Sequence, residues 1–283
     1  MYVFKAAVLG AGTMGAEIAQ VISLSGLPVL LKDVDPDQLE RGMAHLRAIY
    51  GRRVQRGRMT QREAEDHLAL VEGRLDYQGF SDIDLVVEAV PEKLELKRRV
   101  LAEVEGVVPR TALLATNTSA LPVSEIAQAL EKPSRFVGLH FFFPASVMRL
   151  VEVIGGQETD DETLDSAVEF VEGIRRIAVR VKECPGFLVN RVLMAGLAEV
   201  FRAERDLGLA PAEIDAAVAA SGLAPMGPYA LADALGLDIA QDVSETLKAA
   251  YGDRFDLGDR IAALLAAGKT GAKSGEGFYT YTG

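Results

Sequence analysis

The sequence predicts a doubly wound α/β sheet with an inserted helical hairpin, followed by an all-α unit, and three observations carry that reading. The stretch Lys5 to Gln20, KAAVLGAGTMGAEIAQ, joins a short apolar strand to a glycine-rich turn and a helix. From there to Val181, short apolar runs alternate with helical stretches, which is the texture of strands linked by crossover helices. Beyond Cys184-Pro185-Gly186 the texture changes to helices rich in Ala and Leu. The expected division is therefore 1–182 for the sheet and 183–283 for the helices.

The glycine turn places Gly10, Gly12 and Gly15 in G-x-G-x-x-G spacing. In that pattern the first glycine takes a tight turn, the second lets a pyrophosphate approach the backbone, and the third packs helix on strand. Phosphates then meet the unpaired N–H groups and positive dipole of a helix N-terminus. After the apolar run Pro28 to Leu31 comes Asp33, eighteen residues beyond Gly15, where a Rossmann-type unit ends its second strand with an acid for the ribose hydroxyls. Its carboxylate would accept bonds from a 2′-hydroxyl and repel a 2′-phosphate, so NAD is favoured over NADP. Lys32 faces the opposite side of the strand, although a long side chain at a strand end can bend round.

Asp35 caps a long helix that Pro36 opens, and Thr60 with Glu63 has capping-box spacing for a second. This hairpin carries Arg52, Arg53, Arg56 and Arg58, which read equally as a solvated face or as a seat for a phosphate-bearing ligand. His45 and His67 on the same hairpin read as surface or structural residues. Ser81 to Glu88 is the third strand in this reading, and Pro91 opens a helix from Glu92 to about Val107, with Lys97 one turn beyond Lys93. Ala112 to Ala115 forms a strand that runs into Thr116-Asn117-Thr118-Ser119, and ligands collect at such strand ends in an open parallel sheet. The strand Arg135 to Leu139 ends at His140, followed by the bulky turn Phe141 to Pro144 and the strand Leu150 to Ile154. Glu152, set among apolar neighbours, is costly unless paired, and His140 is its obvious partner. A carboxylate on one imidazole nitrogen fixes the tautomer and raises the basicity of the other. Ile177 to Val181 is the last strand. Helices are expected over 187–207, 211–220, 229–250 and 259–267, with Asn190 in the first turn of the first.

A net charge of −11 argues against a general nucleic-acid or anionic-membrane surface, and no apolar run reaches the roughly 18 residues of a membrane span. The first strand follows Met1 closely, which leaves no room for a targeting segment. One cysteine, Cys184, excludes an internal disulfide, fits a reducing cytoplasm and reads as a plain buried thiol. The three histidines are far apart, and no cluster has metal-ligand spacing. A serine hydrolase is disfavoured because Asn117-Thr118-Ser119-Ala120-Leu121 lacks the G-x-S-x-G elbow. The only asparagines are Asn117 and Asn190; scarcity of amides is a thermophile mark, and the two that survive are candidates for chemistry.

GAGTMG at Gly10, ATNTSAL at Ala115, HFFFPASVMRLVEVI at His140, PGFLVNR at Pro185, PMGPYALADALGLD at Pro225 and GEGFY at Gly275 occur together, in order. By these motifs essentially the full chain resembles the 3-hydroxyacyl-CoA dehydrogenase family. The resemblance implies NAD-dependent oxidation of an L-3-hydroxyacyl-CoA to the 3-ketoacyl-CoA in fatty-acid degradation, by a homodimer whose helical half supplies the subunit contact. His140 would be the base and Glu152 its charge partner, while Ser119 and Asn190 would hydrogen-bond the substrate. Glu92, Lys97 and Asn117 would join Asp33 in contacting the cofactor, and Arg56 matches a lysine that contacts CoA. This chain departs from the family pattern at Phe143, where an asparagine is usual, and at Ile49, where a CoA-contacting serine is usual. A free hydroxy acid or sugar acid as substrate, or a silent NAD-binding protein in the manner of lens crystallins, are the competing readings.

Overall fold

The computed structural model describes residues 2–222 and 224–281, and the chain forms two compact units, Met1–Cys184 and Pro185–Gly283. The first holds eight strands: β1 (Ala6–Leu9), β2 (Val29–Lys32), β3 (Val71–Arg74), β4 (Leu85–Glu88), β5 (Leu113–Thr116), β6 (Phe136–Phe141), β7 (Leu150–Gly155) and β8 (Ile177–Lys182). Its helices are α1 (Thr13–Leu24), α2 (Pro36–Gln55), α3 (Gln61–Leu68), α4 (Leu94–Glu105), α5 (Val123–Ala127) and α6 (Asp161–Gly173). The strand order is β3-β2-β1-β4-β5-β6-β7-β8, with β1 to β6 parallel and β7 and β8 running the other way. As expected, this is a Rossmann-type doubly wound sheet. Its order reverses between β1 and β4, and the crevice outside the carboxyl ends of such strands is where ligands bind.

β1, β2, β4 and β5 are buried at every residue, as strands covered by helices on both faces must be. The hairpin of α2 and α3 forms as expected: the Asp35 side chain accepts from the Asp37 N–H, and Thr60 and Glu63 complete a capping box.

Several elements of this unit depart from the sequence reading. β3 adds an edge strand at Val71–Arg74, so Leu85–Glu88 is the fourth strand; Val-Glu-Gly-Arg has one buried residue and no alternation to announce it. α6 is a crossover the sequence reading lacks, built on Asp160 as cap and on buried Ala167, Phe170 and Val171, and it joins two parallel strands that need such a connection. α4 begins at Leu94 rather than Glu92, because the Lys93 N–H bonds to the Pro91 carbonyl at 2.7 Å and leaves Glu92 in a turn. His140 lies inside β6 rather than just past its end.

The second unit packs α7 (Val189–Leu207), α8 (Pro211–Ser221), α9 (Pro228–Leu235), α10 (Leu237–Tyr251) and α11 (Asp259–Ala266) around Met194, Leu197, Phe201, Tyr229, Leu247 and Ile261. One helix was expected over 229–250; two form, because Gly236 at φ +97° turns the chain between them. Buried Asp233 accepts from the Phe278 and Tyr279 N–H groups, 2.9 Å each, and from the Tyr281 hydroxyl. That is the physical use of the GEGFY tail. Cys184 is half-buried rather than buried.

Candidate active site

The glycine turn is built as its spacing requires. Gly10 sits at φ +96°, and a Cβ there would come within 2.7 Å of the Ala89 carbonyl oxygen. At Gly15 a Cβ would fall 1.8 Å from the Gly10 oxygen, so the helix could not approach the strand. Around an added Cβ at Gly12, by contrast, nothing lies within 4 Å, and Gly12 is the N-cap of α1. The open space is on the side from which a pyrophosphate would come.

One Asp33 carboxylate oxygen accepts from the Ala11 N–H at 2.8 Å and the other from the Asp35 N–H at 3.1 Å, so two loops hold it in place. Gly10, Gly12 and Asp33 line one cavity of about 920 Å³, with Val34, Val90 and Leu96 as apolar wall. These residues fit a dinucleotide: a backbone cradle for phosphates, a carboxylate for hydroxyls and an apolar slot. Lys32 does bend toward this cavity, where its ammonium lies 4.4 Å from the centre of the Tyr77 ring. Burial and the neighbouring Glu103 push the Tyr77 hydroxyl up to about 12.

Behind the cavity lies a buried charge network. Lys97 is 1% exposed, and its ammonium donates to Glu88 at 2.8 and 3.1 Å and to the Val90 carbonyl at 3.3 Å. It also pairs with Glu92 at 3.1 Å. Glu88, fully buried, accepts further from the Thr116 hydroxyl at 2.6 Å and the Val90 N–H at 2.7 Å. Burial raises the Glu88 carboxyl above its ordinary value despite Lys97. Burial pushes Glu92 up as well, but Lys97, the Thr118 hydroxyl and the Ser119 N–H outweigh it and hold that carboxyl below the usual range. One Glu92 oxygen gathers the Thr118 hydroxyl, the Ser119 N–H at 2.9 Å and the Ala120 N–H at 3.2 Å. Glu92 thus ties the segment after β5 to the turn after β4.

His140 and Glu152 are directly opposed in the antiparallel β6/β7 ladder, with His140 Nδ1 2.7 Å from Glu152 Oε2. A carboxylate can only accept, so Nδ1 donates and the basic lone pair sits on Nε2. Glu152 is fully buried and His140 is 6% exposed. The Asn117 Oδ1 accepts from the Phe141 N–H at 2.9 Å, bracing the backbone next to His140. The ring of Phe142 packs on His140 with centroids 4.3 Å apart, whereas Phe143 stands 63% exposed.

The first unit therefore joins Gly10, Gly12 and Asp33 in one cavity, Glu92, Lys97 and Ser119 in one network, and His140 with Glu152. Asn190 is the second residue of α7 in the other unit. Arg56 is exposed at the end of α2, and Ile49 is buried. Sequence reasoning placed Thr116 and Thr118 at the strand end without a role, and missed Glu88 as a site residue. A carboxylate ending an apolar strand, with a lysine nine residues on, was the available signal for Glu88.

Comparison with known proteins agrees across the chain. The model of the 3-hydroxyacyl-CoA dehydrogenase NAD-binding domain matches residues 5–184, and that of the C-terminal domain of the same enzymes matches 186–281. The fatty acid oxidation complex subunit alpha of Pseudomonas entomophila is 38% identical over 98% of this chain and 39% of its own length. The chain thus spans about two fifths of the curated relatives it matches. The crystal structure of (S)-3-hydroxybutyryl-CoA dehydrogenase from Ralstonia eutropha superposes with a TM-score of 0.94 at 32% identity, covering all of both chains. That of 3-hydroxybutyryl-CoA dehydrogenase from Escherichia coli K12 gives 0.94 at 37% identity, over 99% of this chain and 60% of the other. With its NAD-binding fold and its paired histidine and glutamate, the chain belongs to the 3-hydroxyacyl-CoA dehydrogenase family.

Proposed function

We propose that this protein oxidises the 3-hydroxyl of an L-3-hydroxyacyl-CoA to the ketone, with NAD as oxidant, and catalyses the reverse reduction. The observation that carries the reading is the 2.7 Å bond from His140 to Glu152. It leaves Nε2 as the base that takes the hydroxyl proton, while the buried carboxylate stabilises the imidazolium that results. When bound, the cofactor supplies the acceptor for the hydride from C3. Gly10 and Gly12, on a turn that Gly15 lets pack closely on its strand, hold its pyrophosphate and Asp33 its adenosine ribose; Glu92 and Asn117 face its other end. Lys97, enclosed by oxygens, acts by holding Glu92. Ser119 and Asn190 position the substrate oxygen, and Arg56 meets the CoA.

The setting we propose is a reducing cytoplasm, on the strength of the single cysteine, with the chain as a homodimer. No described helix is long and apolar enough to cross a membrane. The test of the reaction is NADH oxidation driven by acetoacetyl-CoA, with NADPH as control. NADH-specific turnover is expected. Tight NADH binding without turnover would overturn the substrate and favour a free hydroxy acid.

A further inference from the structure

A second cavity, of about 580 Å³, lies between the tip of the helical hairpin, the end of α1 and the segments leading into β7 and β8. Five arginines line it: Arg53 and Arg58 from the hairpin, Arg149 before β7, and Arg175 and Arg176 before β8. The only carboxylate in its wall is Glu63, which is occupied in the capping box by the Thr60 N–H at 2.7 Å and the Thr60 hydroxyl at 2.8 Å. Among the described residues none of the five guanidinium groups lies within ion-pair distance of a carboxylate. Elsewhere in the molecule arginines take carboxylate partners, as Arg135 does with Glu105 at 3.1 Å.

Clustered cations in a protein of net charge −11 call for an explanation. Like charges around one cavity repel, and burial together with Arg149 and Arg53 drives the Arg176 guanidinium below its ordinary value. The Nε atoms of Arg53 and Arg176 are buried without a partner, although the Arg176 terminal nitrogens donate to the Ala145 carbonyl at 3.1 Å and the Arg175 carbonyl at 3.5 Å. Two segments remote in sequence thus bring guanidinium groups to one space. Guanidinium forks match phosphate oxygens in pairs, and several forks around one cavity suit an anion with more than one charge.

We propose that this cavity is a binding site for a multiply charged phosphate group, seated on Arg53, Arg149 and Arg176. Two sources carry that chemistry, the phosphorylated end of a CoA thioester and a free pyrophosphate-type anion. The hairpin arginines are thereby divided: Arg53 and Arg58 face the site, while Arg52 and Arg56 lie outside it.

The test is calorimetric titration of the whole protein, saturated with NADH so that the dinucleotide cavity is filled, with inorganic pyrophosphate at low salt. Binding of one anion per chain is expected. Affinity should fall on the order of tenfold or more in Arg53→Gln/Arg149→Gln, as loss of two charge-assisted contacts implies. It should also weaken steeply with added salt. No binding to wild type, or equal affinity in the variant, overturns the proposal. If the double variant does not melt cooperatively, Arg149→Gln alone, an exposed side chain, makes the same comparison. Repeating the titration with saturating CoA separates the sources: lost pyrophosphate binding identifies the CoA phosphates, and retained binding identifies a separate anion. The readout is binding, so it stands or falls independently of turnover with acetoacetyl-CoA.

Discussion

At the scale of single residues, the proposed chemistry rests on His140 and the linkage on Glu92. His140→Ala is expected to lower kcat for acetoacetyl-CoA reduction by about 100- to 10,000-fold and to leave NADH affinity unchanged, since the histidine lies outside the dinucleotide cavity. Steady-state kinetics with a fluorescence titration of NADH checks both halves. Glu92 has a native pKa below its unfolded one, so between the two values the unfolded chain binds more protons. Its contribution to stability is complete above the ordinary glutamate value and is lost as pH falls through the native one. Glu92→Gln should therefore be less stable than wild type at pH 7, and the gap should close on acidification. Urea unfolding across a pH series measures this; a gap independent of pH would remove the linkage. The raised pKa of Glu88 has the opposite sign, which makes Glu92 the group to isolate.

At the scale of the element, the turn from β1 into α1 separates folding from binding in three glycines. Gly15→Ala drives a methyl into a backbone oxygen 1.8 Å away, and overpacking of this kind costs about 1–3 kcal/mol or more. Gly12→Ala meets no protein atom, so it should cost about 1 kcal/mol or less, the difference between glycine and alanine at an N-cap. Its methyl occupies the pyrophosphate's approach, and NADH affinity should fall roughly tenfold or more. Thermal melts and NADH titrations of the two variants should rank them in opposite orders. The β6/β7 ladder shows the same economy in another form. Because antiparallel register sets residue opposite residue, one pairing carries His140 onto Glu152 and buries both.

At the scale of the whole molecule, the second unit leaves much apolar surface uncovered. α8 buries none of its residues, and Leu188, Val192, Met226 and Ile239 are all exposed. These residues are candidates for the subunit contact of the proposed homodimer. A homodimer is expected at micromolar concentration, and light scattering giving the mass of a single 30.3 kDa chain would defeat it.

The sequence by itself determined the dinucleotide fold, because glycine spacing, strand hydrophobicity and helix caps act over a few residues and leave their mark there. It also determined the pairing of His140 with Glu152, since a lone carboxylate in a buried strand demands a partner and the chain offered few. Tertiary structure alone decided the rest. β3 exists because a neighbouring edge accepts it, not because Val-Glu-Gly-Arg has a pattern of its own. Glu88 has no role in the sequence reading, and Glu92 and Lys97 enter it only through the resemblance; their joining in one network is decided when helix and strand enclose them. The five arginines of the second cavity come from the hairpin and from segments more than ninety residues further along the chain, and only the closing of the sheet over the hairpin brings their charges into one space.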